Sequence, residues 1–397
     1  MARPPTTPAH RPPTVTALDA SATRDASAVA LLHTLSGAVG IHASLSDTAN
    51  YRAVFARDAV MAGVAGLLLG DAPVTDGLVH TLERLRDLQG AEGQIASNYE
   101  VRDGAPPHVS FGTVVPRVDS ATWYLVGIGL AARAGALDAA AYAASVRATV
   151  RLLDALEYNG RDLVYVPAGG NWADEYVTEG YILYDQVLRA WGLRLLGEVY
   201  GEPAWAAKAV RIGERVAERF WPAADVDRRY PIASFTPITV RDVYDLAAAA
   251  LLGASGVASE VAGRALAYAA DAFLARGLLP PAFSPVIDEG DPDWAALRRY
   301  HLYAFRNRPH EYHNGGVWPI WLGWLGLAFA RAGRTDDLAR LRALTAERLA
   351  AYPAYAFEEY LHGVTSAPGG TPRMAYSATG LIFLRLADAP AAARLLA

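Results

Sequence analysis

Two pairs of adjacent carboxylates carry the chemistry open to this chain of 397 residues. The first is Asp174–Glu175, inside the stretch 171–176, NWADEY. A carboxyl group set against a large apolar ring such as Trp172 loses hydration, which favours its protonated form. An acid that keeps its proton near neutral pH can protonate a leaving oxygen, and Asp174 is the expected donor. The second pair is Glu358–Glu359, in FEEY. Facing the first across a hollow, it would take a proton from water on the opposite side of a bond whose leaving oxygen the first protonates. Acids also favour the first turn of a helix for purely structural reasons. What sets the first pair apart is Trp172 and the polar approach through Gly169, Gly170 and Asn171.

Three further motifs look like partners for these acids. Residues 51–58 read YRAVFARD, with Arg57 and Asp58 opening a helix. Asp58 there is either an ordinary N-terminal acid or, with Arg57, a grip on two adjacent hydroxyls. Residues 111–124, FGTVVPRVDSATWY, place Asp119 at another helix start, followed by the flat rings of Trp123 and Tyr124. Residues 308–319 read RPHEYHNGGVWP. His310, Glu311 and His313 invite a metal, but His-x-x-His without cysteine or a well-spaced third acid does not define a metal site. The expectation is no metal and no cofactor, with His313, Asn314 and Trp318 lining a pocket and Gly315–Gly316 letting backbone approach a ligand. Tyr376, beyond Gly369–Gly370, is expected at the same rim.

These residues need a scaffold that gathers distant loops. Apolar spacing and stop signals predict about twelve helices, near 25–38, 58–70, 75–89, 117–135, 137–157, 181–200, 203–221, 241–253, 257–275, 314–332, 335–351 and 372–387. Gly40 to Phe55 is the one candidate for a short β-hairpin. Connections leaving the second, fourth, sixth, eighth and tenth helices are short and glycine-marked. Those entering the fourth, sixth, eighth, tenth and twelfth are long and hold most of the Trp, His, Asn and paired acids. Short turns imply antiparallel neighbours, so the long loops gather on one face. Six such pairs make an all-α (α/α)6 toroid, in which the sixth and twelfth helices face each other across the axis. A helical solenoid is the rival, and it normally shows a sequence repeat that is absent here.

Composition agrees with a large globular interior: 52% hydrophobic and 19% charged residues. A net charge of −5 offers no basic surface for nucleic acid. No apolar run suits a membrane span, and the absence of cysteine excludes disulfides and thiolate metal sites. Residues 1–22 are expected to be a disordered tail, without the apolar core of a signal peptide, ahead of a single catalytic domain over 23–397. A cytoplasmic protein is expected, of undetermined oligomeric state.

The motifs together resemble the inverting (α/α)6 glycosidases, a clan that includes trehalase, processing glucosidase I, the family 63 hydrolases and alkaline/neutral invertase. Bacterial amylo-1,6-glucosidase-like debranching enzymes are similar. The resemblance runs from about residue 51 to 383 and rests first on YHNGGVWP (312–319), then on FARD (55–58), VDS-x-x-W (118–123) and E-Y-x-x-G (359–363) leading to AYSATG (375–380). It implies a general acid at Asp174 and a general base at Glu359, counting from Gly363; an E-x-Y pattern would choose Glu358. Glu175 stands where several relatives have serine, and the resemblance does not extend to the N-terminal β-domain of the larger members.

The function this implies is exo-acting, inverting hydrolysis of a small carbohydrate. An α-glucoside is expected: a disaccharide, a glucosyl compatible solute, a short α-glucan or sucrose. Arg57, Asp58, Asp119, Glu175, His313 and Asn314 would hold the sugar, with Trp172 and Trp318 as walls. Two rivals are a sugar epimerase on the same toroid, which would need His313 and His362 as acid and base, and a non-catalytic sugar-binding protein.

Overall fold

The computed structural model describes residues 15–397 except 47–49, 103, 113–114, 223–226, 300 and 302–303. Its helices are α1 (Val15–Leu35), α2 (Ala56–Leu69), α3 (Ala72–Asp87), α4 (Val118–Arg133), α5 (Ala143–Ala155), α6 (Leu183–Tyr200), α7 (Pro203–Phe220), α8 (Leu246–Ser255), α9 (Ser259–Ala272), α10 (Trp294–Leu297), α11 (Pro319–Arg331), α12 (Thr335–Ala350), α13 (Ala375–Leu386) and α14 (Pro390–Leu396). The twelve expected helices are the long ones; α10 and α14 are short additions. Most of the predicted tail lies outside the described residues, but 15–22 already belong to α1. Past Pro13 nothing in the sequence breaks a helix.

Side-chain character sorts the helices into two rings. Every residue of α8 is buried, as is the run from Pro319 to Phe329 in α11. A helix apolar all round must be surrounded. By contrast α7 buries only Ala209, Ile212, Val216 and Phe220, a single stripe at three- and four-residue spacing. Accordingly α2, α4, α6, α8, α11 and α13 pack each on the next, and α13 returns to α2 to close the inner ring. Outside them α3 backs α2, α5 backs α4, α7 backs α6, α9 backs α8, α12 backs α11, and α1 closes the outer ring against α13. The result is the (α/α)6 toroid.

Trp123, Trp191, Trp321 and Trp324 are fully buried inner-ring side chains. Ring centroids of Trp123–Trp324 and Trp191–Trp324 lie 5.8 Å apart, so aromatic packing fills the interior of the ring. Opposite the loop face, Arg133 at the end of α4 donates to the carbonyl of Ala397 at 2.8 Å, and Arg331 at the end of α11 donates to that of Leu396.

On the loop face the long connections form small antiparallel sheets. Val54–Phe55 pairs with Asn98–Glu100, which pairs with His108–Ser110. The hairpin expected over 40–55 is therefore resolved differently. Gly40–Ile41 folds back on Ser36–Gly37, and Val54–Phe55 takes its partner from the next long loop. Two backbone bonds, Ala43 N to Ala53 O at 3.2 Å and Ser44 N to Tyr51 O at 2.9 Å, still join the arms. Alternation in a sequence identifies an extended segment but not its partner. Likewise α8 starts at Leu246 and α11 at Pro319, later than apolar spacing suggests, because the preceding residues make loop-face backbone contacts.

Candidate active site

A cleft opens on the loop face, lined by Trp172, Asp174 and Glu175 from one connection and by Tyr51, Glu359 and Tyr376 from other parts of the chain. The first group comes from the connection entering α6, and Glu359 from the connection entering α13. These are opposite members of the inner ring. Arg57, Asp58 and Trp318 line the cleft too, together with Phe55, Ser97, Asn98, Arg117, Arg306 and Tyr312.

The acid-bearing loop is strapped down before it reaches Asp174. Val118 N, opening α4, donates to Gly170 O at 2.7 Å. Asn171 is buried, and its Oδ1 accepts from Ala173 N at 3.0 Å. Asp174 then projects to the cleft, where Arg117 Nη2 donates to its Oδ2 at 2.5 Å; its side chain is 24% exposed. Trp172, expected to press on Asp174, instead joins an aromatic cluster. It stacks on Phe283 at 5.8 Å and meets His313, Trp318 and Trp321 edge-on at 5.0–5.5 Å. The nearest polar partner of Asp174 is therefore a guanidinium.

Glu175 is buried and held at both oxygens by Arg306, at 2.9 and 3.3 Å. The Arg306 guanidinium lies 3.9 Å from the centroid of the Tyr312 ring, a cation–π contact. It also stands 3.9 Å from Glu359 Oε2, so one cation lies between an acid of each loop. Asn307, fully buried, ties the motifs together: its Nδ2 donates to Glu175 O at 2.6 Å, and its Oδ1 accepts from the backbone N of His313 and Asn314.

Glu359 is 3% exposed. Tyr51 Oη donates to its Oε1 at 2.8 Å, and Thr371 N donates to Oε2 at 3.3 Å. Paired backbone bonds of 2.8 Å between Val317 and Leu361 fix this loop to the 312–318 segment. Gly370, at φ +80°, lies against the carboxylate; a Cβ there would sit 2.5 Å from Oε2. Burial pushes the Glu359 carboxyl above its ordinary range; Arg306 and the Tyr51 hydroxyl pull it back, and Asp174 adds to the rise. Glu358 points elsewhere: its Oε2 accepts from Ala356 N at 2.9 Å and it does not line the cleft.

Several expected ligand contacts lie outside the cleft lining. Asp119 sits one layer below, accepting from Arg57 Nη1 at 2.9 Å, while Arg57 Nη2 stands 3.3 Å from Asp58. Burial raises the Asp58 carboxyl, and Arg57 opposes the rise. His313 is packed between Tyr312 and Trp318, at 4.1 and 5.4 Å between ring centroids, and burial drives its imidazole well below the usual range. Asn314 is a staple: it accepts from Ile287 N and donates to Ile287 O, both at 2.8 Å. His313 and Asn314, expected as sugar contacts, are buried and absent from the cleft lining, because their polar motif is folded inward. His310 and His362 have ring centroids 5.9 Å apart away from the cleft, with His362 Nδ1 accepting from Val364 and Thr365 N. Among the described residues no group of three or more His, Asp or Glu is arranged to hold a metal ion, and no helix is long and apolar enough to cross a membrane.

Tyr51, Arg117, Arg306 and Asn307 were not singled out from the sequence. Tyr51 and Arg117 lie inside quoted motifs; Arg117 stands two positions before Asp119, whereas Tyr51 has no acid beside it to mark it. Arg306 and Asn307 lie in a long loop with no pattern to read.

A ring of six helical hairpins with a carboxylate-lined cleft on its loop face is the (α/α)6 toroid that the sequence leads one to expect. No family model matches the chain, and no curated protein does. Solved structures do match. The family 63 mannosylglycerate hydrolase from Thermus thermophilus, in complex with glucose, aligns with TM-score 0.64 at 16% identity, over 90% of this chain and 99% of that one. The same enzyme with Tris and D-glycerate gives 0.64 and 15%, over 91% and 99%. A wild-type glycosidase gives 0.64 at 15% identity, over 95% and 99%. At this identity the likeness establishes the shared fold.

Proposed function

We propose that this chain is an exo-acting, inverting glycoside hydrolase in which Asp174 is the general acid and Glu359 the general base. The observation that carries this is the cleft itself, lined by carboxylates from two loops that enter opposite inner helices. In this mechanism Asp174 protonates the glycosidic oxygen while Glu359 takes a proton from a water attacking the opposite face of the sugar, a geometry that needs carboxyls about 6.5–9.5 Å apart. Arg117 must release Asp174 before the proton is delivered, so substrate binding is coupled to breaking that pair. Arg57, Asp58, Tyr376 and Trp318 meet the sugar ring, with Asp119 bracing Arg57 from below.

A small α-glucoside is the expected substrate. A glycoside of a small hydroxy acid is the second candidate, favoured by Arg117 and Arg306 at the cleft, whose guanidinium groups suit a carboxylate. Sucrose belongs in the same test. The epimerase alternative is not favoured, because neither His313 nor His362 lines the cleft. The test is turnover on a panel of α-glucosides, sucrose, and glucosyl- and mannosylglycerate, with wild type and Asp174→Asn. Loss of a general acid lowers kcat by about 10²–10⁴-fold. Near-wild-type turnover by Asp174→Asn contradicts the assignment, and binding without any turnover by the wild type favours a sugar-binding protein.

A further inference from the structure

Asp185 is in the first turn of α6 and is fully buried. An acid at the N-cap itself commonly caps its helix, as Asp245 does at α8, accepting from Ala248 N at 3.0 Å; Asp185 stands three residues inside the cap of α6. Asp185 does not serve α6 in this way: the cap residue is Ile182, with no side-chain cap bond. Its Oδ2 accepts instead from Asn171 Nδ2 at 3.1 Å. Asn171 in turn holds Ala173 N at 3.0 Å, the backbone immediately before Asp174. A continuous buried path therefore runs from the rigid inner helix, through one amide, to the residue beside the proposed acid.

The geometry points to Asp185 as a positioning residue for the 171–175 loop, acting through the Asn171 amide. Among the described residues no cation pairs with Asp185. Arg57, across the same layer, is engaged by Asp58 and Asp119. The charges that bear on Asp185 are the like charges of Asp119 and Asp245; burial first, and then these, raise its carboxyl well above the ordinary range, while the Asn171 amide pulls it back. A carboxyl group presents an acceptor oxygen to the Asn171 amide whether or not it holds a proton, so the path rests on the geometry alone. An asparagine at 185 supplies the same acceptor, whereas a leucine removes it and strands the Asn171 amide.

This inference rests on the glycosidase reading only for its kinetic arm. In the full-length protein, Asp185→Asn keeps kcat within about 3-fold of wild type. Asp185→Leu lowers kcat about 30–100-fold with KM little changed, the scale of a misplacement near 1 Å. Asn171→Leu matches Asp185→Leu, and the double variant is no worse than either, since both break one path. Equal losses in Asp185→Asn and Asp185→Leu, additive losses in the double variant, or a rise in KM alone would overturn it. Amide hydrogen exchange over 169–176 supplies a readout besides activity. Faster exchange in Asp185→Leu and Asn171→Leu but not in Asp185→Asn supports the path, and unchanged exchange in all three refutes it. If Asp174→Asn is fully active the acid assignment fails, while the exchange result still decides the role of Asp185. Should Asp185→Leu not fold, Asn171→Leu carries both arms.

Discussion

Gly370 offers a way to move the proposed base without altering its chemistry. Its φ is +80°, and a methyl group there would lie 2.5 Å from Glu359 Oε2 and 2.6 Å from Glu359 Cβ. Non-bonded carbon contacts are comfortable at about 3.5–4.0 Å, so Gly370→Ala must push the carboxylate or its own loop by roughly 1 Å. Two costs add. Placing alanine in the left-handed region takes about 1–2 kcal/mol, and relieving the overlap takes a further 1–3 kcal/mol or so. Gly333→Ala separates them: Gly333 has φ +67° with nothing within 4 Å of its would-be Cβ. In urea unfolding, Gly333→Ala loses only the first amount and keeps wild-type kcat. Gly370→Ala loses both and, with the base displaced, drops kcat about 100-fold. A Gly370→Ala enzyme with wild-type kcat would refute the idea that this contact sets the position of Glu359.

Tyr51→Phe removes the hydrogen bond that holds Glu359 down; the Glu359 carboxyl rises further, and the acid limb of kcat/KM moves to higher pH in a pH–rate profile. Arg306→Gln removes a cation that lowers the same carboxyl, so the limb moves in the same direction. It also strands buried Glu175, costing about 3 kcal/mol in urea unfolding, the lower end for such pairs because the Arg306 side chain is 33% exposed. His313 is neutral in the fold, with its pKa depressed well below 6.5. Its contribution to stability is therefore present above pH 6.5 and is lost as pH falls below that value, when the unfolded chain takes up a proton that the fold resists. Urea midpoints from pH 7.5 down to 5 show this fall in wild type and a smaller one in His313→Gln.

The helical scaffold was legible because burial leaves a period in sequence. The all-apolar run of α8 and the single stripe of α7 announce inner and outer rings before any coordinates do. That Asp174 and Glu359 line the cleft agrees with where the sequence pointed. It pointed to Asp174 through Trp172 and the glycines before it and to Glu359 through the resemblance, although the Trp172 ring packs on Phe283 and not on Asp174. Direction was not legible. Glu358 and Glu359 are identical in type and adjacent, and only the backbone turn to Ala356 sends one away from the cleft. His313 and Asn314 look like ligand-binding residues for the same reason that they make good framework: both satisfy polar backbone or fill space between rings. The Arg117–Asp174 and Arg306–Glu175 pairs join residues 57 and 131 positions apart. Such contacts exist only after the toroid closes, so no local pattern encodes them.

The central claim is that a proton donor and a proton acceptor act from opposite sides of one cleft. Proton NMR of the first sugar released from a cleaved α-glucoside tests it most directly, before mutarotation mixes the anomers. The β-anomer appearing first is the expected result, since water then enters opposite the departing group. First appearance of the α-anomer would mean that a carboxylate attacks the sugar itself, and the roles given to Asp174 and Glu359 would not stand.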